Sequence, residues 1–261
     1  MLKTRKKRGA SERLEAQPRS GESDLVQDAV ESPLAVIVGV GPGNGAAFVR
    51  RFAAEGYRVA MLARSAGTMD DLERETGAHA YPCDVTDPAA VTEAFARITA
   101  DLGPTDVLVY NAGKGVWGNA EEISIDDFEA AWRTNTLGAL IAARTVVPAM
   151  RTRGHGSIVF IGATASLRGG ARFAGFASAK AAQRSLAQSL ARQLWPAGIH
   201  VCLVIVDGVI DEPVARQRLA DKPDEFFLKP DDIAGTVLTL VRQPKSAWSF
   251  EVEARPFGEA W

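Results

Sequence analysis

From Leu34 onward the chain alternates short, almost wholly apolar runs with longer amphipathic stretches, and few folds accept that pattern. The apolar runs are Leu34 to Val38, Arg58 to Leu62, Ala78 to Cys83, Asp106 to Tyr110, Ser157 to Ile161 and His200 to Val206. Such near-continuous apolar character suits central strands covered on both faces. Between them, helical periodicity predicts helices over Gly45 to Glu55, Pro88 to Leu102, Ile125 to Arg151 and Ala174 to Trp195. A further helix, Pro230 to Val241, precedes a last strand, Ser249 to Ala254. Strict alternation implies right-handed crossovers, so the expected class is α/β, a doubly wound parallel sheet in a single domain. The polar segment Asp211 to Lys229 follows a strand end, where a lid over a ligand is expected.

An apolar share of 46% supports a sizeable core. The net charge of −2 gives no overall electrostatic ground for a nucleic-acid or membrane partner. No apolar run approaches the ~20 residues needed to span a bilayer, so a cytoplasmic protein is expected. Cys83 and Cys202 sit inside apolar runs and read as buried thiols, not as a disulfide. Three scattered histidines and these two cysteines lack metal-ligand spacing, so no metal site is expected. Residues 1–32 differ from the rest: Lys3, Arg5, Lys6, Lys7 and Arg8 precede a polar stretch without apolar periodicity. That composition predicts a disordered tail ahead of a domain over residues 33–261. It lacks the apolar core of a secretory signal.

The first strand runs into Gly39-Val40-Gly41-Pro42-Gly43-Asn44-Gly45-Ala46. Glycines here permit a tight turn and let the backbone approach a pyrophosphate, whose charge the following helix N-terminus stabilises. Gly39, Gly43 and Gly45 form one register, beginning directly after the strand; Gly41, Gly43 and Ala46 fit the broader Rossmann fingerprint. Placed between a strand and a helix, the turn points to nucleotide binding. The second strand ends at Arg64, with no acidic residue to accept ribose hydroxyls. An arginine there suits the 2′-phosphate of NADP, so NADP(H) is expected over NAD(H).

Five further segments follow in order: Cys83-Asp84-Val85, Tyr110-Asn111-Ala112-Gly113, Asn135 in Thr134-Asn135-Thr136, Lys180, and Val206-Asp207-Gly208-Val209. Together with the glycine turn, the set resembles the short-chain dehydrogenase/reductase family over about residues 34 to 256. The resemblance implies a Rossmann-type fold and an NAD(P)-linked oxidoreductase of a small-molecule carbonyl or alcohol. It gives Asp84 and Val85 to the adenine, and Asn111, Ala112 and Gly113 to the sheet beside the cofactor. Asn135 would hold a proton-relay water, Lys180 would contact the nicotinamide ribose, and Gly208 would lie in the turn after the sixth strand. It also implies a homodimer or homotetramer built on the helices Ile125 to Arg151 and Ala174 to Trp195.

The departures bear on chemistry. Phe176, one helical turn before Lys180, stands where the family carries its catalytic tyrosine, and a phenyl ring has no proton to give. The family serine falls on Ala163, leaving the hydroxyl of Thr164 one position away. The tyrosine of the enoyl-reductase variant falls on Phe173, and Asp207 replaces a proline. The pattern resembles an atypical subgroup that keeps the lysine without the tyrosine. Lys114, Trp117, Phe173, Phe176, Phe226 and Phe227 suggest an aromatic pocket wall. Three readings stay open: an oxidoreductase with an unorthodox proton source, such as a water held by Asn135 and Lys180; a nucleotide-binding pseudoenzyme acting as sensor or complex partner; and an oligomer subunit with a vestigial site.

Overall fold

The computed structural model describes residues 32–259, so the stretch read as a tail lies, apart from Ser32, outside the described residues. The elements follow in chain order. They are β1 (Leu34–Val38), α1 (Asn44–Ala54), β2 (Arg58–Ala63), α2 (Gly67–Thr76), β3 (His79–Pro82), α3 (Pro88–Leu102), β4 (Val107–Tyr110) and α4 (Ile125–Trp132). A π-helical turn, Arg133–Leu137, leads into α5 (Gly138–Arg153), β5 (Gly156–Ala163) and α6 (Ala174–Leu194). The chain ends with β6 (Ile199–Val206), β7 (Val209–Ile210), α7 (Pro213–Arg218), β8 (Phe227–Leu228), α8 (Pro230–Val241) and β9 (Glu251–Ala254).

Seven strands form one sheet in the order β3-β2-β1-β4-β5-β6-β9, all parallel. This is the doubly wound, Rossmann-type architecture expected from the alternation. One core lies on the face covered by α3, α5 and α6, with Phe95, Tyr110, Met150 and Phe160 among its largest members. The other lies under α1, α2 and α8, around Phe48, Phe52, Met61 and Met69. All five residues of β1 are buried, as a central strand between two helical layers requires.

Local chemistry explains the helix limits. Asp87 accepts hydrogen bonds from the amides of Ala89 and Ala90, Pro88 occupies the first turn, and Gly103 stops α3. Ser124 caps α4 by accepting from the Asp127 amide. At α1 no side chain caps Gly43 and no acidic residue lies in the first turn; the Ala46 amide donates to the Gly41 carbonyl and the Ala47 amide to the Gly43 carbonyl, which leaves the amides of Asn44 and Gly45 at the helix start.

Three differences from the sequence expectation matter. The single helix predicted over Ile125 to Arg151 runs on without leaving helical backbone, but it passes through the π turn Arg133–Leu137, an added residue that hydrophobic periodicity does not register. Helix α2 was not expected, because it is mostly polar and buries only Met69 and Leu72. The segment Asp211 to Lys229, for which a polar lid without assigned elements was expected, holds α7, and its β8 pairs in parallel with β7.

Candidate functional site

The strand order reverses between β1 and β4, and a crevice opens at their carboxyl ends. Gly39 follows β1 at φ +90°, and a Cβ there would lie 2.3 Å from the Ala112 amide nitrogen, so only glycine lets the two strand ends meet. The Asn111 side-chain amide donates to the Gly39 carbonyl at 2.7 Å, and the Asn111 backbone amide donates to Val38. A cavity of about 620 Å³ opens here. Its lining joins the turn Gly39–Gly45 to Arg64, Asp84, Val85, Asn111, Ala112 and Gly113. Residues from four strand ends, far apart in sequence, thus share one surface.

Asp84 accepts from the Thr86 amide at 2.9 Å and from its hydroxyl at 2.8 Å. These bonds, with the charge of Arg64, hold its carboxyl below the ordinary carboxylate range. Arg64 itself is exposed at the cavity edge. Gly208 lies elsewhere: a Cβ there would meet Pro256 at 2.7 Å and Glu259 at 2.8 Å, and the residue is not part of the cavity lining. The turn after β6 is packed against Pro256 and Glu259, a pairing that no local sequence pattern announces.

Behind Gly113 stand Asn135 and Lys180; a Cβ on Gly113 would lie 3.2 Å from Asn135 Oδ1 and 3.9 Å from Lys180 Nζ. The π turn brings Asn135 inward, where its amide donates to the Lys114 and Ala131 carbonyls, both at 2.9 Å. Its Oδ1 is buried without a partner among the described residues. Lys180 is buried and donates to the Ile161 carbonyl at 2.8 Å and to Gln183 Oε1 at 3.2 Å. Burial pulls its pKa down to about 8.

Gln183 changes the expected picture. Its amide donates to the Asn135 carbonyl at 2.9 Å while its oxygen accepts from Lys180. Gln183 therefore links the Asn135 backbone to the Lys180 ammonium, while the Asn135 side-chain oxygen has no partner among the described residues. Gln183 has no exposed surface and sits on the buried face of α6, among Ala179, Ala187 and Ala191. One amide in an alanine stripe was a legible signal that the sequence reading passed over.

The hydroxyls are committed as well. Thr164 donates to Asp207, whose carboxylate is also held by Arg255 and lies 3.6 Å from Arg168. Burial opposes ionisation of Asp207, yet the Thr164 hydroxyl and the two arginines keep its pKa below the ordinary value. Ser166 accepts from the Ala163 amide at 3.1 Å. Trp117 packs edge-on against both Phe173, at 4.9 Å, and Phe176, at 5.0 Å between ring centroids. These three rings thus cluster, with Lys180 Nζ 6.0 Å from the Phe176 ring centre, but of the residues expected to form the wall only Lys114 lines the cavity. Phe226 and Phe227 instead pair with each other, and Tyr110 is buried with its hydroxyl donating to the Thr134 carbonyl.

The donor set suits a dinucleotide: an uncapped helix start under a glycine turn, an arginine at the second strand end, and the unpartnered Asn135 oxygen beside a buried lysine. No group of three or more potential metal ligands occurs among the described residues. No helix there is long and apolar enough to cross a membrane. Cys83 and Cys202 are free and buried, with burial raising the Cys83 thiol to about 11.

Comparison with known proteins agrees with this geometry. Residues 33–223 match the family described as short chain dehydrogenase. The chain is 34% identical over 205 residues to 2-(R)-hydroxypropyl-CoM dehydrogenase of Xanthobacter autotrophicus, covering 74% of this chain and 80% of that one. A short-chain dehydrogenase structure from Rhodopseudomonas palustris superposes with a TM-score of 0.74 at 35% identity, over 87% of this chain and 99% of that one. A metagenomic short-chain oxidoreductase in complex with NADP gives 0.76 at 29% identity, over 87% and 98%.

Proposed function

Because the chain belongs to the short-chain dehydrogenase family, we propose that it is an oxidoreductase that binds NADP(H) and acts on a small alcohol or carbonyl compound. The observation that carries this reading is the single cavity shared by the glycine turn, Arg64, Asp84 and Asn111, with Lys180 and Asn135 behind its inner end. A bound nicotinamide supplies the hydride chemistry; the chain's part is to orient it and to manage one proton. Gly39, Gly43 and Gly45 bring backbone against the pyrophosphate, and Arg64 pairs with the 2′-phosphate. Asp84 and Val85 border the adenine, and Lys180 holds the nicotinamide ribose.

The proton is the unusual part. Phe176 has none, and the Thr164 hydroxyl is spent on Asp207. Gln183 bridges Asn135 and Lys180. The same three facts favour a second reading, a pseudoenzyme that binds the dinucleotide without turning over a substrate. Under the first reading the substrate carries its own acidic group. Self-association through α4, whose Ile125, Phe128 and Trp132 are exposed along one stripe, accompanies either reading.

Calorimetric titration with NADP⁺, NADPH and NAD⁺ tests the cofactor assignment. NADP(H) should bind roughly ten- to a hundredfold more tightly, the worth of a charge-assisted hydrogen bond. Arg64→Ala should erase that margin and leave NAD⁺ affinity nearly unchanged; equal affinities in the unaltered protein defeat the assignment. Turnover of any member of an alcohol and ketone panel then selects the enzyme, and binding without turnover the pseudoenzyme.

A further inference from the structure

The most telling contact around the phosphate turn comes from outside it. A Cβ built on Gly43 would lie 1.9 Å from Glu212 Oε1 and 2.7 Å from its carboxyl carbon. The Glu212 carboxylate therefore rests directly against Gly43, at the mouth of α1, and Glu212 lines the same cavity. This is the place where the amides of the helix start and the helix dipole favour an anion. The turn from Gly39 to Gly45 contains no basic side chain to share the load.

The position of Glu212 is set by its neighbours. Its backbone begins α7, and the Arg216 amide donates to its carbonyl at 2.9 Å. The preceding Asp211 is gripped by Arg216 at 2.6 and 2.9 Å and by Lys229 at 2.5 Å, while its own amide donates to Leu228 at 2.8 Å. The backbone is thus anchored on two sides. The carboxylate itself hangs on rotatable bonds, and no hydrogen bond or ion pair holds it among the described residues.

We propose that Glu212 is an acidic guard on the phosphate turn, whose carboxylate occupies the anion position of the free protein and must rotate away for a dinucleotide pyrophosphate to enter. This rests on the dinucleotide reading of the cavity and adds what sets its affinity. Two anions cannot share the mouth of α1 at low cost, because like charges brought together at a partly buried site repel strongly. Dinucleotide affinity is accordingly lower than the glycine turn and Arg64 alone would give. The penalty falls on ligands that carry a pyrophosphate and spares those that do not.

The test compares the unaltered protein with Glu212→Gln, which keeps the size and removes the charge, by calorimetric titration with NADPH and with adenosine 2′-monophosphate. The second probe reaches the Arg64 end of the cavity and has no pyrophosphate. NADPH should bind the variant about tenfold or more tightly, with adenosine 2′-monophosphate affinity unchanged. Glu212→Ala should show the same selective gain, and thermal midpoints without ligand confirm that each variant is folded. Unchanged or weaker NADPH binding in the variants overturns the guard, as does an equal gain for both probes. Failure of both proteins to bind NADPH overturns the cofactor reading itself, and the guard with it.

Discussion

Phe176 concentrates the chemical question in one side chain. Its ring lies against Trp117 and within reach of Lys180, so a hydroxyl added at its tip would enter a site that already holds a lysine. Phe176→Tyr should therefore raise reduction of a reactive diketone, since a positioned general acid typically supplies roughly 10²–10⁴-fold. The gain should be largest where Lys180 is charged and lowers the phenol's pKa. With the lysine pulled down to about 8 by burial, that means below about pH 8, and the advantage should fade as pH rises through that value. Steady-state rates from pH 6 to 9 read this directly. A fall in an activity already present would instead show that Phe176 belongs to a working apolar pocket. The residue pattern made Phe176, Lys180 and the glycine turn legible, because each stands at a fixed offset from a strand or helix end. Glu212 was not, because the Gly43 it rests against lies on another element and no offset along the chain encodes the contact.

At the scale of elements, the seven strands of the main sheet and the buried helices were readable to within a residue or two, since each carries a long apolar signal, whereas the two-residue strands β7 and β8 carry none. The π turn and α2 were not, for opposite reasons. One is an irregularity inside a good helix pattern, and the other is a regular helix with a poor one. The segment after β6 is held chiefly by charge: Asp211 bridges Arg216 and Lys229, and Arg216 also pairs with Asp224 and covers the Phe227 ring at 4.0 Å. Bonds from Arg216, then Lys229, hold the Asp211 carboxyl well below its ordinary range. Its contribution is complete above the unfolded carboxylate value of about 4 and is lost only as pH falls through the lower, folded value. Neutral pH therefore shows the clamp at full strength. Asp211→Asn at that pH should speed tryptic cleavage after the exposed Arg218 several-fold, measured by mass spectrometry of the early fragments. An unchanged rate would mean that β7 and β8 alone hold the segment.

At the scale of the whole molecule, the surface carries an exposed apolar stripe on α4. Ile125, Phe128 and Trp132 recur along one side of α4 and are 80%, 41% and 40% exposed, a concentration that a solitary protein rarely tolerates. Phe128→Asp should shift the protein from dimer or tetramer to monomer in light scattering, with the folded spectrum retained. A monomeric unaltered protein would remove that expectation. The seam between the two halves of the sheet has a different consequence. The Asn111 side chain stitches β4 to the Gly39 carbonyl at the end of β1, under backbone packing that admits only glycine. The floor of the cavity is thus a single plate, shaped before any ligand arrives and unable to widen without tearing core strands apart. Any accommodation is then expected from Ile210 and Glu212, the lining residues that come from beyond β6.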